Sequence, residues 1–282
     1  METALLQPND REFDFSDREF RFLVDLVNER TGIVLAEHKK DMVYSRLVRR
    51  VRALKLGSFA DYCDLIQSEA GLAETGNLVN AITTNLTSFF RENHHFEHLR
   101  DHVLAPLVAQ PQTHKRLRIW SAACSSGMEP YSIAMTVKAA LKDIKTWDAR
   151  ILATDIDTNM LQTGKDGEYE AAQYDNIPDM YRDDIVRAKD QSRIRVSDEL
   201  KALVTFKPLN LLDDWPMRGL FDAVFCRNVV IYFDKPTQAE LFSRLADLIK
   251  PKGWLYIGHS ENLYKVCDRF DLVGRTTYRK AR

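Results

Sequence analysis

Polar residues with chemistry to offer stand where short apolar runs end. Glu129 follows the run Arg116 to Ser121 and a stretch of small residues, Ala122 to Gly127. Asp155 closes the run Ile151 to Ala153-Thr154, 26 residues past Glu129. Asn210 follows Ala202 to Phe206, and Asn228 ends the strongly apolar Phe221 to Cys226. If these runs are strands, all four polar residues lie at strand carboxyl ends, where open α/β sheets bind ligands. An acidic residue at the tip of the second strand commonly binds the ribose hydroxyls of a nucleotide-like cofactor. The dinucleotide fingerprint G-x-G-x-x-G is absent, the turn has only Gly127, and no Walker lysine follows it. Glu129 sits where a phosphate cradle would avoid negative charge. A cofactor that lacks phosphates and carries positive charge fits better; S-adenosylmethionine, an adenosine with a sulfonium and an amino acid tail, is one.

The elements that must position these groups alternate between strand and helix, which implies a mainly parallel sheet. Pro130 suits the first position of a helix running to about Leu141. A helix from about Pro236 carries Leu241, Leu245 and Leu248; Trp254 to Gly258 is a strand; Phe270 to Val273 and Thr276 to Tyr278 form a terminal hairpin. Ahead of the sheet, Thr84 to Glu92 packs hydrogen-bonding residues beside Phe89, Phe90 and Arg91, an unusual choice for a linker and a better one for a segment lying over a pocket. A helix from Asn93 to about Leu104 follows and should end at Pro106. His94, His98 and His102 share one face of it; with no fourth ligand evidently spaced, this reads as a polar face and not a metal site. The long insertion from Tyr169 to about Lys207 offers a helix over Met180 to Lys189 and a strand, Arg193 to Val196, that could pair with Leu203 to Phe206.

Residues 1–83 read as a separate all-helical domain. Ser16 and Glu19 make a capping-box pattern, and Phe20, Leu23, Val24 and Val27 repeat at helical spacing. The next helix, about His38 to Leu56, has a formal charge of +6, while the 37 residues before it sum to −5. Val43, Leu47, Val51 and Leu54 share its apolar face; Lys39, Arg46, Arg49 and Arg50 share another, a candidate dock for an acidic partner as well as an ordinary solvated face. Shorter helices are expected at Ser58 to Ser68 and Leu72 to Ile82.

Composition is that of a globular protein: 282 residues, 45% hydrophobic and 29% charged. No run suits a membrane span, and Met-Glu-Thr-Ala does not open a signal peptide. Four scattered cysteines without a C-x-x-C pair suggest reduced thiols and a cytoplasmic protein. A net charge of −1 implies no general attraction to nucleic acid.

Taken in order, Thr84-Asn85-Leu86-Thr87-x-Phe89-Phe90-Arg91, Trp120 to Ser132, Asp155-Ile156-Asp157, Asn210-Leu211-Leu212 and Cys226-Arg227-Asn228-Val229-x-Ile231-Tyr232-Phe233-Asp234 resemble the chemotaxis receptor glutamate methyltransferases, CheR. Met128 departs from the family, which usually has a second glutamate there. The resemblance implies a Rossmann-like S-adenosylmethionine-dependent methyltransferase domain, residues 84–282, with a small β-subdomain at about 169–207, behind a receptor-docking helical domain, residues 1–83. It implies methyl esterification of glutamates on the cytoplasmic methylation helices of chemoreceptors, with S-adenosylhomocysteine as product, by a metal-free monomer that neither binds nucleic acid nor enters the membrane. By motif, Asn85, Thr87, Arg91, Glu129, Asp155, Asn210, Leu211 and Asn228 would line the cofactor pocket. Asp155 would hold the ribose, and Glu129 would face the methionyl end directly or through Arg91. Arg91 and Tyr232 would flank the transferred methyl, and Arg46, Arg49 and Arg50 would dock the receptor. Some members also capture the receptor's C-terminal peptide on the β-subdomain; the glycine-free stretch Arg187 to Arg193 suggests that this protein does not. Two other classes stay open: a non-catalytic S-adenosylmethionine-binding signalling module, and a nucleic-acid methyltransferase. The prolines typical of amino-adenine methyltransferases are missing from Asn228-Val229-Val230-Ile231-Tyr232.

Overall fold

The computed structural model describes residues 11–109 and 115–281, in two compact units, Met1–Thr84 and Asn85–Arg282. In the first, helices α1 (Asp17–Thr31), α2 (Lys40–Ala53), α3 (Phe59–Gln67) and α4 (Leu72–Ile82) surround one core. Ser16 and Glu19 form the expected capping box, and Gly32 ends α1 in the left-handed region at φ 70°. Val43, Leu47 and Val51 are buried as their spacing requires.

The arginine face of α2 divides into inward and outward roles. Arg46 donates to the carbonyls of Ile82 and Thr83, satisfying acceptors that the end of α4 leaves unpaired. Arg50 grips Glu74 through Nε and Nη2 at 2.8 and 2.6 Å, and Tyr62 donates to the same carboxylate at 3.1 Å. Burial opposes the charge of Glu74, but Arg50, Asn77 and Tyr62 outweigh it and hold its carboxyl below the usual range. Of the three expected docking side chains only Arg49 is exposed.

In the second unit the strands are β1 (Arg116–Ala122), β2 (Asp148–Asp155), β3 (Glu168–Glu170), β4 (Ile185–Arg187), β5 (Arg193–Val196), β6 (Val204–Pro208), β7 (Phe221–Cys226), β8 (Ile249–Tyr256), β9 (Phe270–Gly274) and β10 (Thr277–Lys280). Seven form one sheet in the order β6-β2-β1-β7-β8-β10-β9. The first five in that row are parallel, and β10 pairs antiparallel with both β8 and β9. The chain leaves β1 for β2 on one side and later places β7 on the other, so the topological switch point lies beside the end of β1. Helices are α5 (His94–His98), α6 (Ala105–Ala109), α7 (Met128–Ala140), α8 (Thr158–Asp166), α9 (Asp198–Lys201) and α10 (Lys235–Leu248). Trp120, Ile119, Val224 and Phe225 are fully buried, as interior parallel strands require.

Four expectations are corrected. Helix α7 starts at Met128, so Pro130 is its third residue; the N–H groups of a whole first turn lack intrahelical acceptors, and proline costs little there. The helix expected to end at Pro106 continues instead as a π-helix, Leu99–Leu104, into α6; a π turn interrupts the ladder in which proline's missing donor would be felt. Met180 to Lys189 holds a 3₁₀ stretch, Asp179–Asp184, followed by β4. Strand β5 pairs with β3 and β4 as the middle of a three-stranded sheet, burying Ile194 and Val196, while β6 joins β2.

Candidate functional site

The turn from β1 into α7 is built from residues in the left-handed region: Ala123 at φ 61°, Ser125 at φ 50° and Gly127 at φ 89°. Phe90, Glu92 and Asn228 share this conformation, at φ 51°, 58° and 58°. Non-glycine residues adopt it at a cost, and such strain collects at ligand sites that the surrounding structure holds rigid. At Gly127 a Cβ would lie 2.8 Å from Gly164 Cα and 3.0 Å from the Phe206 ring, so this close crossing of α8 and β6 needs glycine.

Asp155 ends β2 beside this turn. One carboxylate oxygen accepts from Ser125 N at 2.7 Å and the other from Asp157 N at 2.8 Å. Burial lifts its carboxyl to about 6, against the pull of those two amides. Asn85 closes the same side: its amide donates to Asp157 at 2.7 Å and its carbonyl accepts from Ser125 Oγ at 3.0 Å. Leu209 N donates to the Asp155 carbonyl at 3.0 Å, which brings Asn210 and buried Leu211 alongside. Asn210 donates to Asp213 at 3.0 Å and accepts from Leu212 N, while Arg244 holds the Leu211 carbonyl at 3.0 Å.

Glu129, in the first turn of α7, is buried and accepts from Ser121 Oγ at 2.7 Å. Its cation is Arg227 and not Arg91: Arg227 Nη1 donates to Glu129 at 2.9 Å. Burial raises the Glu129 carboxyl, with Arg227 and Ser121 partly offsetting it. Arg227 also donates to the Arg91 carbonyl and stands 3.3 Å from Glu92. Burial works against the charge of Glu92, yet Arg227, His259 and Asn228 together bring its carboxyl down to about 2. Arg91 itself donates to the Leu86 carbonyl at 2.8 Å, which closes the segment Leu86 to Arg91 into a loop. Asn228 donates to Glu92 at 3.3 Å, and Tyr232 ends the 3₁₀ turn Val230–Tyr232 just beyond. Thr87 and Tyr232 are half-buried.

Asp155 at the end of β2, Glu129 in the first turn of α7, and Asn85, Arg91, Asn210, Leu211 and Asn228 on loops thus lie at the carboxyl ends of β1, β2, β6 and β7. Arg227, Glu92, Asp157 and Ser121 belong with them and were missed. A visible signal existed for Arg227, a charged residue directly after the apolar run Ala223 to Cys226.

Glu92, His94 and His95 offer possible metal-ligand atoms within 4.8 Å of one another. However, Nε2 of His94 is 3.2 Å from the Arg275 carbonyl, and Nε2 of His95 is 2.9 Å from Thr276 Oγ1. Burial, then Arg227, holds His95 down to about 3, and the same guanidinium beside Glu92 disfavours a second cation there. His98 is bonded to the Tyr256 hydroxyl at 3.0 Å.

A largely parallel sheet with polar side chains gathered at its switch point, an acidic residue ending the second strand and no phosphate loop fit a methyltransferase-type α/β domain. Comparison with known families agrees: residues 85–279 match the "CheR methyltransferase, SAM binding domain" and residues 18–83 the "CheR methyltransferase, all-alpha domain". The chain belongs to the CheR methyltransferase family. It is similar to a probable chemotaxis protein methyltransferase of Rhizobium etli, 45% identical over 90% of this chain and 96% of that one. A chemotaxis protein methyltransferase of Escherichia coli K12 is 43% identical over 98% and 96%. Chemotaxis protein methyltransferase 2 of Pseudomonas aeruginosa is 43% identical over 96% of each.

Proposed function

We propose that this protein transfers the methyl group of S-adenosylmethionine to glutamate side chains on the cytoplasmic helices of chemoreceptors, forming methyl esters. The observation that carries this reading is the pair of buried carboxylates, Asp155 at the end of β2 and Glu129 in the first turn of the helix after β1, in a chain of this family. The donor set suits the cofactor. Asp155 keeps acceptor capacity for ribose hydroxyls, Glu129 offers negative charge to an ammonium or sulfonium, and Asn85, Asn210 and Asn228 add amides. When bound, the cofactor supplies a methyl group activated by positive sulfur.

The remaining chemistry asks little of the protein in proton transfer. A glutamate side chain has a reference pKa of about 4.3 and arrives ionised at neutral pH, so no general base is required. Placement and exclusion of water then dominate. Arg91 orients the incoming carboxylate, and Tyr232 contributes a hydrogen bond. An arginine that gripped the carboxylate too tightly would stabilise the ground state, whose charges disappear during transfer. The Leu86 carbonyl, already bonded to Arg91, moderates that grip. The test is incubation with S-adenosylmethionine and receptor cytoplasmic fragments, followed by peptide mass spectrometry. Methylated glutamates support the reading, and unmodified fragments beside an active control enzyme overturn it.

A further inference from the structure

Glu261 lies on the loop after β8 and is buried, with 5% of its surface exposed. One carboxylate oxygen accepts from Asn228 N at 3.0 Å and Gly258 N at 2.5 Å; the other accepts from Val230 N at 2.9 Å. These amides lie where β7 and β8 part company. The two strands pair in parallel as far as Phe225 and Tyr256, and beyond that point neither serves the other. The carboxylate takes over from the ladder and ties the two strand ends together. A buried carboxylate is a costly way to fill space, and it persists where its oxygens accept several hydrogen bonds. The loop is also fitted closely to Asn228: a Cβ on Gly258 would lie 2.3 Å from Asn228 Nδ2 and 2.8 Å from Asn228 N. Asn228 holds its left-handed conformation between these two constraints.

We infer that Glu261 is a positioning residue for the cofactor pocket: by binding the amides of Asn228, Val230 and Gly258 it fixes Asn228 in the left-handed region and aims its side chain. The inference rests on the reading of Asn228 as a cofactor-binding group. Glutamine at 261 keeps the size but replaces one acceptor by a donor, so it cannot receive all three amides. Alanine at 258 presses on Asn228 with Glu261 intact, and so reaches the same geometry by a route that spares the buried charge.

Calorimetry of S-adenosylhomocysteine binding to the full-length protein tests this. Glu261→Gln, Gly258→Ala and Asn228→Ala should each weaken affinity by about tenfold. Adding Glu261→Gln or Gly258→Ala to Asn228→Ala should cost almost nothing further, because residues that act through one another are not additive. Fully additive losses would overturn the inference, as would unchanged affinity in both Glu261→Gln and Gly258→Ala while Asn228→Ala still binds weakly. Unchanged affinity in Asn228→Ala would overturn the reading of Asn228 and the inference with it.

Discussion

On the proposed reading, Asp155 couples cofactor binding to pH. Its carboxyl is raised by burial to about 6 in the folded chain, above the ordinary aspartate value of about 3.9. The folded state therefore binds the extra proton between those values. The stability Asp155 contributes is fully present below about pH 4 and is lost as pH rises through 6. Cofactor affinity should move the other way, because the ionised carboxylate is the stronger acceptor for ribose hydroxyls. Calorimetric affinity for S-adenosylmethionine should be level above pH 7 and fall by up to about tenfold per unit below 6. Asp155→Asn should bind weakly and without that slope; a wild-type affinity flat from pH 5 to 8 would remove Asp155 from the site. On the same reading, Tyr232 acts later in the cycle. Tyr232→Phe should lower kcat at saturating receptor by roughly tenfold, the worth of about one hydrogen bond, with cofactor affinity retained. Unchanged turnover would end that role. Asp155, Glu129 and Asn228 were legible as polar residues at the ends of apolar runs. The partnership of Arg227 with Glu129 was not, because the residues are 98 apart in sequence and meet only when β7 settles beside β1. Glu261 was hidden for the same reason, 33 residues from Asn228.

At the scale of elements, α2 shows how charge patterning can overstate a docking face. The helix spacing and its buried stripe were readable, but the partners of Arg46 and Arg50 lie on α4 and at its carboxyl end and could not be read from a helical wheel. Two consequences can be separated by experiment. Arg50→Ala should lower stability by about 1–3 kcal/mol, because it leaves the buried Glu74 without its bidentate cation; thermal melting checks this. Arg49→Glu should leave the melting temperature nearly unchanged and raise KM for receptor, an effect that salt would weaken over a screening length of about 8–10 Å. An Arg49→Glu enzyme with wild-type KM would mean that this face is merely solvated. In the small sheet, β4 and β5 are joined by a tight loop: Ala188 N donates to the Arg193 carbonyl at 2.9 Å, and Gln191 occupies the left-handed region without being glycine. A hydrogen-bonded, glycine-free loop should leave an isolated receptor C-terminal peptide unbound at tens of micromolar in calorimetry. Micromolar binding, abolished by substitutions along the edge strand β4, would contradict this.

At the scale of the whole molecule, alternation of apolar runs with helical spacing was enough to specify an all-helical first unit and a largely parallel sheet in the second. The insertion was less readable: β5 is short and amphipathic, and its choice of β3 and β4 over β6 depends on which edge the main sheet offers. Among the described residues no helix is long and apolar enough to cross a membrane. The reading of the whole protein comes down to one claim, that the methyl group ends on a glutamate oxygen. Carboxyl methyl esters, unlike methylated amines or bases, release methanol in mild alkali. The measurement is volatile label released by base from receptor-bearing membranes incubated with the protein and methyl-labelled S-adenosylmethionine. The reading predicts that nearly all protein-bound label is released as methanol and that transfer at limiting cofactor falls at least about tenfold when Asp155 is replaced by Ala. Label that resists base, or that appears on nucleic acid and not on receptor, would contradict it.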